Sequence, residues 1–193
     1  SWEPGNLGGQ AVAEVLFGEV NPSGKLPLTV ARSVGQLRMI YNHKPSAYFH
    51  KYADEKKTPL YPFGFGLSYT KYTYGEPILS NTSLSGNEKI TVSVEVSNTG
   101  EFDGEEIVQL YIRDNVSSAT RPVKELKGYQ RVVLKAGETK KVEFTLDAES
   151  LAFYDINMDY CVEPGNFTIM TGSSSAKKDL KITTLTVNNK IEL

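Results

Sequence analysis

Ile90-Thr91-Val92-Ser93-Val94-Glu95-Val96-Ser97 alternates apolar and polar residues without a break, and this stretch decides the fold. A period of two places Ile90, Val92, Val94 and Val96 on one face of an extended chain, the pattern of a strand with one side buried. Asn98-Thr99-Gly100 closes it with turn-forming residues. Toward the C-terminus, Val108, Leu110 and Ile112 share a face within residues 107–112. Val132-Val133-Leu134 then runs through the turn Lys135-Ala136-Gly137-Glu138 into Val142, Phe144 and Leu146, which alternate with Glu143 and Thr145. Phe167 and Ile169 follow the turn Glu163-Pro164-Gly165-Asn166, and Leu180, Ile182, Leu185 and Val187 complete the series.

About seven short strands punctuated by turns over some 115 residues predict an immunoglobulin-like sandwich. Cys161 stands alone, so no Cys…Trp…Cys spacing exists, and a fibronectin type III-like arrangement fits better than an antibody-type one. The single cysteine also excludes an intrachain disulfide and a metal site built on thiolates.

Upstream the character changes twice. Residues 36–75 are largely irregular and rich in rings: Tyr41, Tyr48, Phe49, Tyr52, Tyr61, Phe63, Phe65, Tyr69, Tyr72 and Tyr74. Pro45, Pro59 and Pro62 interrupt any helix or central strand there. A flexible linker is polar, so an aromatic segment of this length is expected to pack against something. Before it, a Pro/Gly turn leads into a short helix over residues 10–17, an Asn21-Pro22-Ser23-Gly24 turn and a short strand over residues 25–30. Ala11, Val12, Val15 and Leu16 recur at helical spacing and need a sheet to bury against. So short a helix is marginal alone, and the chain therefore reads as opening inside a larger α/β domain. The expected organisation is mainly β: an α/β remnant over residues 1–35, an aromatic connector over 36–75 and the sandwich over 76–193.

Composition narrows the function classes. Hydrophobic residues at 39% and charged residues at 23% suit an ordinary globular chain. A net charge of −2 gives no electrostatic case for nucleic acid. No apolar run approaches the roughly 20 residues that span a bilayer, so no membrane partner is expected. Asn81-Thr82-Ser83, Asn115-Val116-Ser117 and Asn166-Phe167-Thr168 match the glycosylation acceptor pattern, and chance in a Ser/Thr/Asn-rich β chain is the plainer reading.

The run Trp2-x-Pro4-Gly5-x-x-Gly8-Gly9-x-Ala11-x-Ala13-x-x-Leu16-x-Gly18-x-x-Asn21-Pro22-Ser23-Gly24-Lys25-Leu26-Pro27 resembles the closing part of the second domain in glycoside hydrolase family 3, the β-glucosidases and β-xylosidases. Pro59-Leu60-Tyr61-Pro62-Phe63-Gly64-Phe65-Gly66-Leu67-Ser68-Tyr69-Thr70 resembles the segment joining that domain to the next. Gly104-Glu105-Glu106-Ile107-Val108-Gln109-Leu110-Tyr111 and Lys124-Glu125-Leu126-Lys127-Gly128-Tyr129 are similar to the fibronectin type III-like domain that ends many of these enzymes.

The resemblance implies a longer retaining enzyme: an N-terminal barrel carrying an Asp nucleophile, an α/β sandwich carrying the acid/base Glu, and this β domain. The pair must sit about 5–5.5 Å apart across the sugar. No residue here matches either motif, so no catalytic residue is expected in the chain, and the chain alone is expected to be inactive. Implied partners are a β-linked oligosaccharide or glycoside and the upstream domains. No cofactor is implied, and a periplasmic or secreted location is the expectation for the longer protein. The alternative is a carbohydrate-binding or adhesion-type sandwich.

Among the carboxylates, Glu3, Glu14, Asp54, Glu55, Asp103, Glu105 and Glu106 merit inspection as acid/base groups. Asp103-Gly104-Glu105-Glu106 sits between two predicted strands and reads as a solvated hairpin loop. His43 and His50 lack the i, i+4 pairing of a helical metal site. Tyr41, Asn42, His43 and Lys44 offer an aromatic face with amide and charged groups, the mixture that sugar sites use. They are the substrate-binding candidates, against the reading that the aromatics of this zone hold the two domains together.

Overall fold

The computed structural model describes residues 3–36, 38–45 and 53–193. Trp2, Tyr48, Phe49, His50 and Tyr52, named above, lie outside them. Helix α1 (Gly8–Leu16) opens the described chain. The strands then run β1 (Tyr72–Tyr74), β2 (Ile78–Leu79), β3 (Ser83–Leu84), β4 (Ile90–Asn98), β5 (Gly104–Asp114), β6 (Glu125–Leu134) and β7 (Thr139–Leu146). A short helix α2 (Ala148–Leu151) precedes β8 (Phe153–Tyr154), β9 (Tyr160–Val162), β10 (Gly165–Gly172), β11 (Leu180–Val187) and β12 (Ile191–Glu192).

Among the described residues, β4 pairs with β1, β2 and β7, while a five-stranded sheet runs β3-β11-β10-β5-β6 and a small third sheet runs β12-β9-β8. The first two sheets bury one continuous core that includes Val92, Phe144, Leu110, Ile112, Phe167 and Leu185. Val142, Phe144 and Leu146 are buried while Lys141, Glu143 and Thr145 are exposed, the alternation seen in the sequence. Each such side chain contributes about 1.5–3 kcal/mol on burial.

Three elements differ from the sequence expectation. β5 begins at Gly104 rather than Ile107, and Glu106 is 2% exposed, so Asp103-Gly104-Glu105-Glu106 is not a solvated loop. β6 begins at Glu125, upstream of the Val132-Val133-Leu134 run, and a bulge against Leu110/Tyr111 breaks the alternation that would have marked it. Nor do residues 25–30 form a strand: Val30 makes an isolated antiparallel bridge to Tyr61. The segment is extended and pairs with the connector instead of a sheet.

The buried hydrophobic core runs from Leu84 to Ile191, and the described residues before β1 add no hydrophobic side chain to it. Of the apolar residues at helical spacing, Ala11, Val12 and Leu16 are exposed and Val15 is half-buried, and Leu7 and Phe17 at the ends of the helix are, like Leu16, more than 70% exposed. This leading segment, called the arm below, is held to the sandwich by specific contacts. Asn115 and Asn166 each accept a hydrogen bond from a threonine, Thr168 and Thr186 (both 2.9 Å), which gives the acceptor-like tripeptides a structural use. Among the described residues no helix is long and apolar enough to cross a membrane.

Candidate functional site

The polar residues of the sequence motifs converge on the joint between arm and sandwich. Asn21, in the Asn-Pro-Ser-Gly turn, donates to the Asp103 carbonyl (2.9 Å) and accepts from the Ser68 hydroxyl (2.8 Å) and the Tyr69 amide (2.9 Å). One side chain thereby ties three segments. Four residues on, Lys25 Nζ lies 2.9 Å from Glu106 Oε2. Glu106 shares the face of Val108 and Leu110, at the end of β5 where the arm crosses it. Tyr74 donates its hydroxyl to Glu106 Oε1 (2.6 Å). Burial, with the Glu106 carboxylate beside it, holds the Tyr74 phenol far above its ordinary range. Glu105 takes Arg131 Nη1 at 2.6 Å and the Ser23 hydroxyl at 3.4 Å.

A second cluster grips the turn Pro62-Phe63-Gly64-Phe65. Leu26 N donates to the Phe65 carbonyl and Gly64 N to the Leu26 carbonyl, both at 2.8 Å, so the turn is paired to the arm. From the other side, Ser175 N donates to the Phe63 carbonyl (2.9 Å) and Gln109 Nε2 to the Gly64 carbonyl (3.1 Å). Gln109 Nε2 also reaches the Ser173 carbonyl (2.8 Å), and Tyr111 donates to Gln109 Oε1 (2.5 Å). Gln109 is 3% exposed with donor and acceptor both used, as a buried amide requires. Gly64 has φ +78°, and a Cβ there would overlap the Gln109 amide. Both facts demand glycine.

The four substrate-binding candidates lie beside this cluster. Tyr41 stacks on Phe63 (ring centroids 4.2 Å apart), meets Tyr111 edge-on (5.9 Å), and accepts from the Leu126 amide (3.3 Å). The His43 carbonyl accepts from Val123 N (3.0 Å), and Lys44 Nζ donates to the Thr120 carbonyl. Asn42 is exposed. The structure thus brings Tyr41, Phe63 and Tyr111 together and straps the segment across the five-stranded sheet. Gln109, Lys25 and the Gly172-Ser173-Ser174-Ser175 run were not singled out as site residues from sequence. Their signal was the Gly/Ser run itself and an amide in the middle of an apolar strand.

No arrangement at the joint resembles a catalytic pair. Glu106 is neutralised by Lys25, and Glu105 by Arg131. Among the described residues no three His, Cys, Asp or Glu side chains are grouped to hold a metal ion.

Comparison with known proteins matches residues 1–69 to the glycosyl hydrolase family 3 C-terminal domain and residues 106–175 to a fibronectin type III-like domain. The chain is 46% identical over 187 residues to a periplasmic β-glucosidase of Salmonella typhimurium, covering 92% of this chain and 24% of that protein. It is 48% identical over 190 residues to a β-xylosidase of Formosa agariphila, covering 97% and 26%. A crystal structure of a β-glucosidase from Listeria innocua in complex with glucose superposes with a TM-score of 0.89 at 34% identity, covering 96% and 27%. The chain spans about a quarter of the length of the curated relatives it matches.

Proposed function

Because the chain belongs to glycoside hydrolase family 3, we propose that it serves as the non-catalytic C-terminal portion of a retaining β-glycosidase acting on terminal β-linked glucosyl or related residues. In this reading the sandwich supports the enzyme structurally, and the arm completes an α/β domain whose remaining elements cover Leu7, Leu16 and Phe17. The domain division in this proposal is an α/β remnant over residues 1–35, a connector over 36–75 and a sandwich over 76–193, with Tyr72–Tyr74 pairing to β4 from inside the connector. The longer protein acts in the periplasm or outside the cell and takes a β-linked oligosaccharide or glycoside as substrate.

The observation that supports this most is the use made of the motif residues. Asn21, Lys25, Gly64, Glu106, Gln109 and Tyr111 direct their polar groups or backbone into the joint, and the ionised ones are paired. A group that moves protons in a glycosidase needs a tuned carboxyl facing the sugar. A hydrogen-bonded cradle serves instead to fix one domain on another. Among the strap residues, Tyr41, His43 and Lys44 are engaged, so sugar contact from this segment falls to the exposed Asn42.

The purified chain, made in a host lacking its own β-glucosidases, is expected to leave aryl β-glucosides and β-xylosides uncut. Loss of nucleophile and acid/base removes most of the barrier lowering an enzyme supplies. Turnover by the chain that scales with its concentration would overturn the proposal.

A further inference from the structure

Beside the strap, the end of β5 and the loop that follows it hold a cleft of about 220 Å³ lined by Pro45, Arg113, Asn115, Ser117, Thr120 and Arg121, among others. Its charges are unevenly matched. Arg121 is buried and saturated: it pairs with Asp114 (3.3 Å) and Glu125 (3.0 Å) and donates to the Leu151 carbonyl (2.6 Å). That pairing consumes the cleft's own carboxylate, Asp114. Glu163, nearby, accepts from the Ser118 amide (2.8 Å). Three further cations have no carboxylate partner among the described residues. Arg113 is exposed on β5, Lys124 Nζ donates to the Ser175 carbonyl (2.6 Å), and Lys44 Nζ donates to the Thr120 carbonyl. Burial, and then the Arg113 guanidinium, push the Lys124 ammonium below its ordinary range. Like charges held together this way oppose each other.

An anion would relieve that opposition, and an oxyanion that offers two oxygens, a carboxylate or a sulfate, suits the guanidinium fork. The amide of Asn115 and the hydroxyls of Ser117 and Thr120 on the same lining suit sugar hydroxyls. We propose that this cleft binds the oxyanion of an acidic sugar, a uronate carboxylate or a sulfate ester on a glycosyl ring. Arg113 makes the direct contact, and Lys124 and Lys44 supply the field. The choice of a sugar rests on the glycosidase reading, whereas the anion rests on the charges alone.

The test is titration of the isotope-labelled chain with glucuronate, glucose 6-sulfate, glucose and inorganic sulfate, followed by amide NMR shifts. Shifts at Arg113, Asn115, Ser117 and Thr120 are expected with at least one acidic sugar, at an affinity about tenfold or more above glucose. Whichever acidic sugar binds identifies the oxyanion. Affinity is expected to fall as salt rises from about 50 to about 500 mM. Arg113 is exposed and has no carboxylate partner among the described residues, so Arg113→Gln is expected to remove the preference at an unchanged melting temperature, and Arg113→Lys to keep part of it. Equal binding of glucose and both acidic sugars, or unaltered binding by Arg113→Gln, would overturn the proposal. Inorganic sulfate binding as tightly as the acidic sugars would overturn the sugar assignment. Absence of glycosidase activity in the longer protein would instead overturn the reading above and leave these shifts in place.

Discussion

Gly64→Ala is expected to undock the arm from the sandwich. The residue has φ +78°, where an L side chain costs about 1–3 kcal/mol. The added Cβ also displaces the Gln109 amide, which bridges the Gly64 and Ser173 carbonyls and accepts from Tyr111. Leaving such buried groups unsatisfied costs about 1–3 kcal/mol more. Thermal unfolding of the chain should begin roughly 4–24 °C lower, given about 2–4 °C per kcal/mol at this size. Gly9→Ala is the control, since a Cβ there meets nothing within 4 Å. Equal melting of the two variants would show that the turn is not gripped as described.

Lys25→Met should be the most damaging single change in the arm. Glu106 is 2% exposed and would be left with the Tyr74 hydroxyl in place of its cation. Removing one member of a buried pair typically costs about 3–5 kcal/mol, chiefly through the ion left behind. Glu106→Leu in the same chain should therefore recover much of the loss, and denaturant unfolding of the two single variants and the double variant measures it. Strict additivity of the two single losses would contradict a direct pair.

How far the fold could be read from sequence depended on how many faces each strand buries. Val92, Val94 and Val96, and Val142, Phe144 and Leu146, lie on strands with one face in the core, so a period of two was enough to find them. β5 is covered on both faces, by the core at Val108, Leu110 and Ile112 and by the connector at Gln109 and Tyr111. Its polar residues look like surface residues until partners 45 and 81 positions away are known, Gly64 for Gln109 and Lys25 for Glu106. That is why Glu106 read as part of a solvated loop. The aromatic connector was legible as a packed segment from its composition. Which ring met which neighbour, Tyr41 on Phe63 and Tyr111, was set by tertiary contacts that no local pattern encodes.

The central claim, that these motifs build a joint and do not perform chemistry, is tested most directly in the full-length protein. Phe63→Ala and Asn42→Ala would be compared by melting temperature and by kcat and KM on an aryl β-glycoside. Phe63→Ala removes a stacked ring worth about 1.5–3 kcal/mol, so its melting temperature should fall while kcat per folded enzyme is kept. Asn42→Ala should melt as the parent does and change only KM, the signature of lost sugar contact without lost support. A Phe63→Ala enzyme that melts normally but loses kcat would contradict the account.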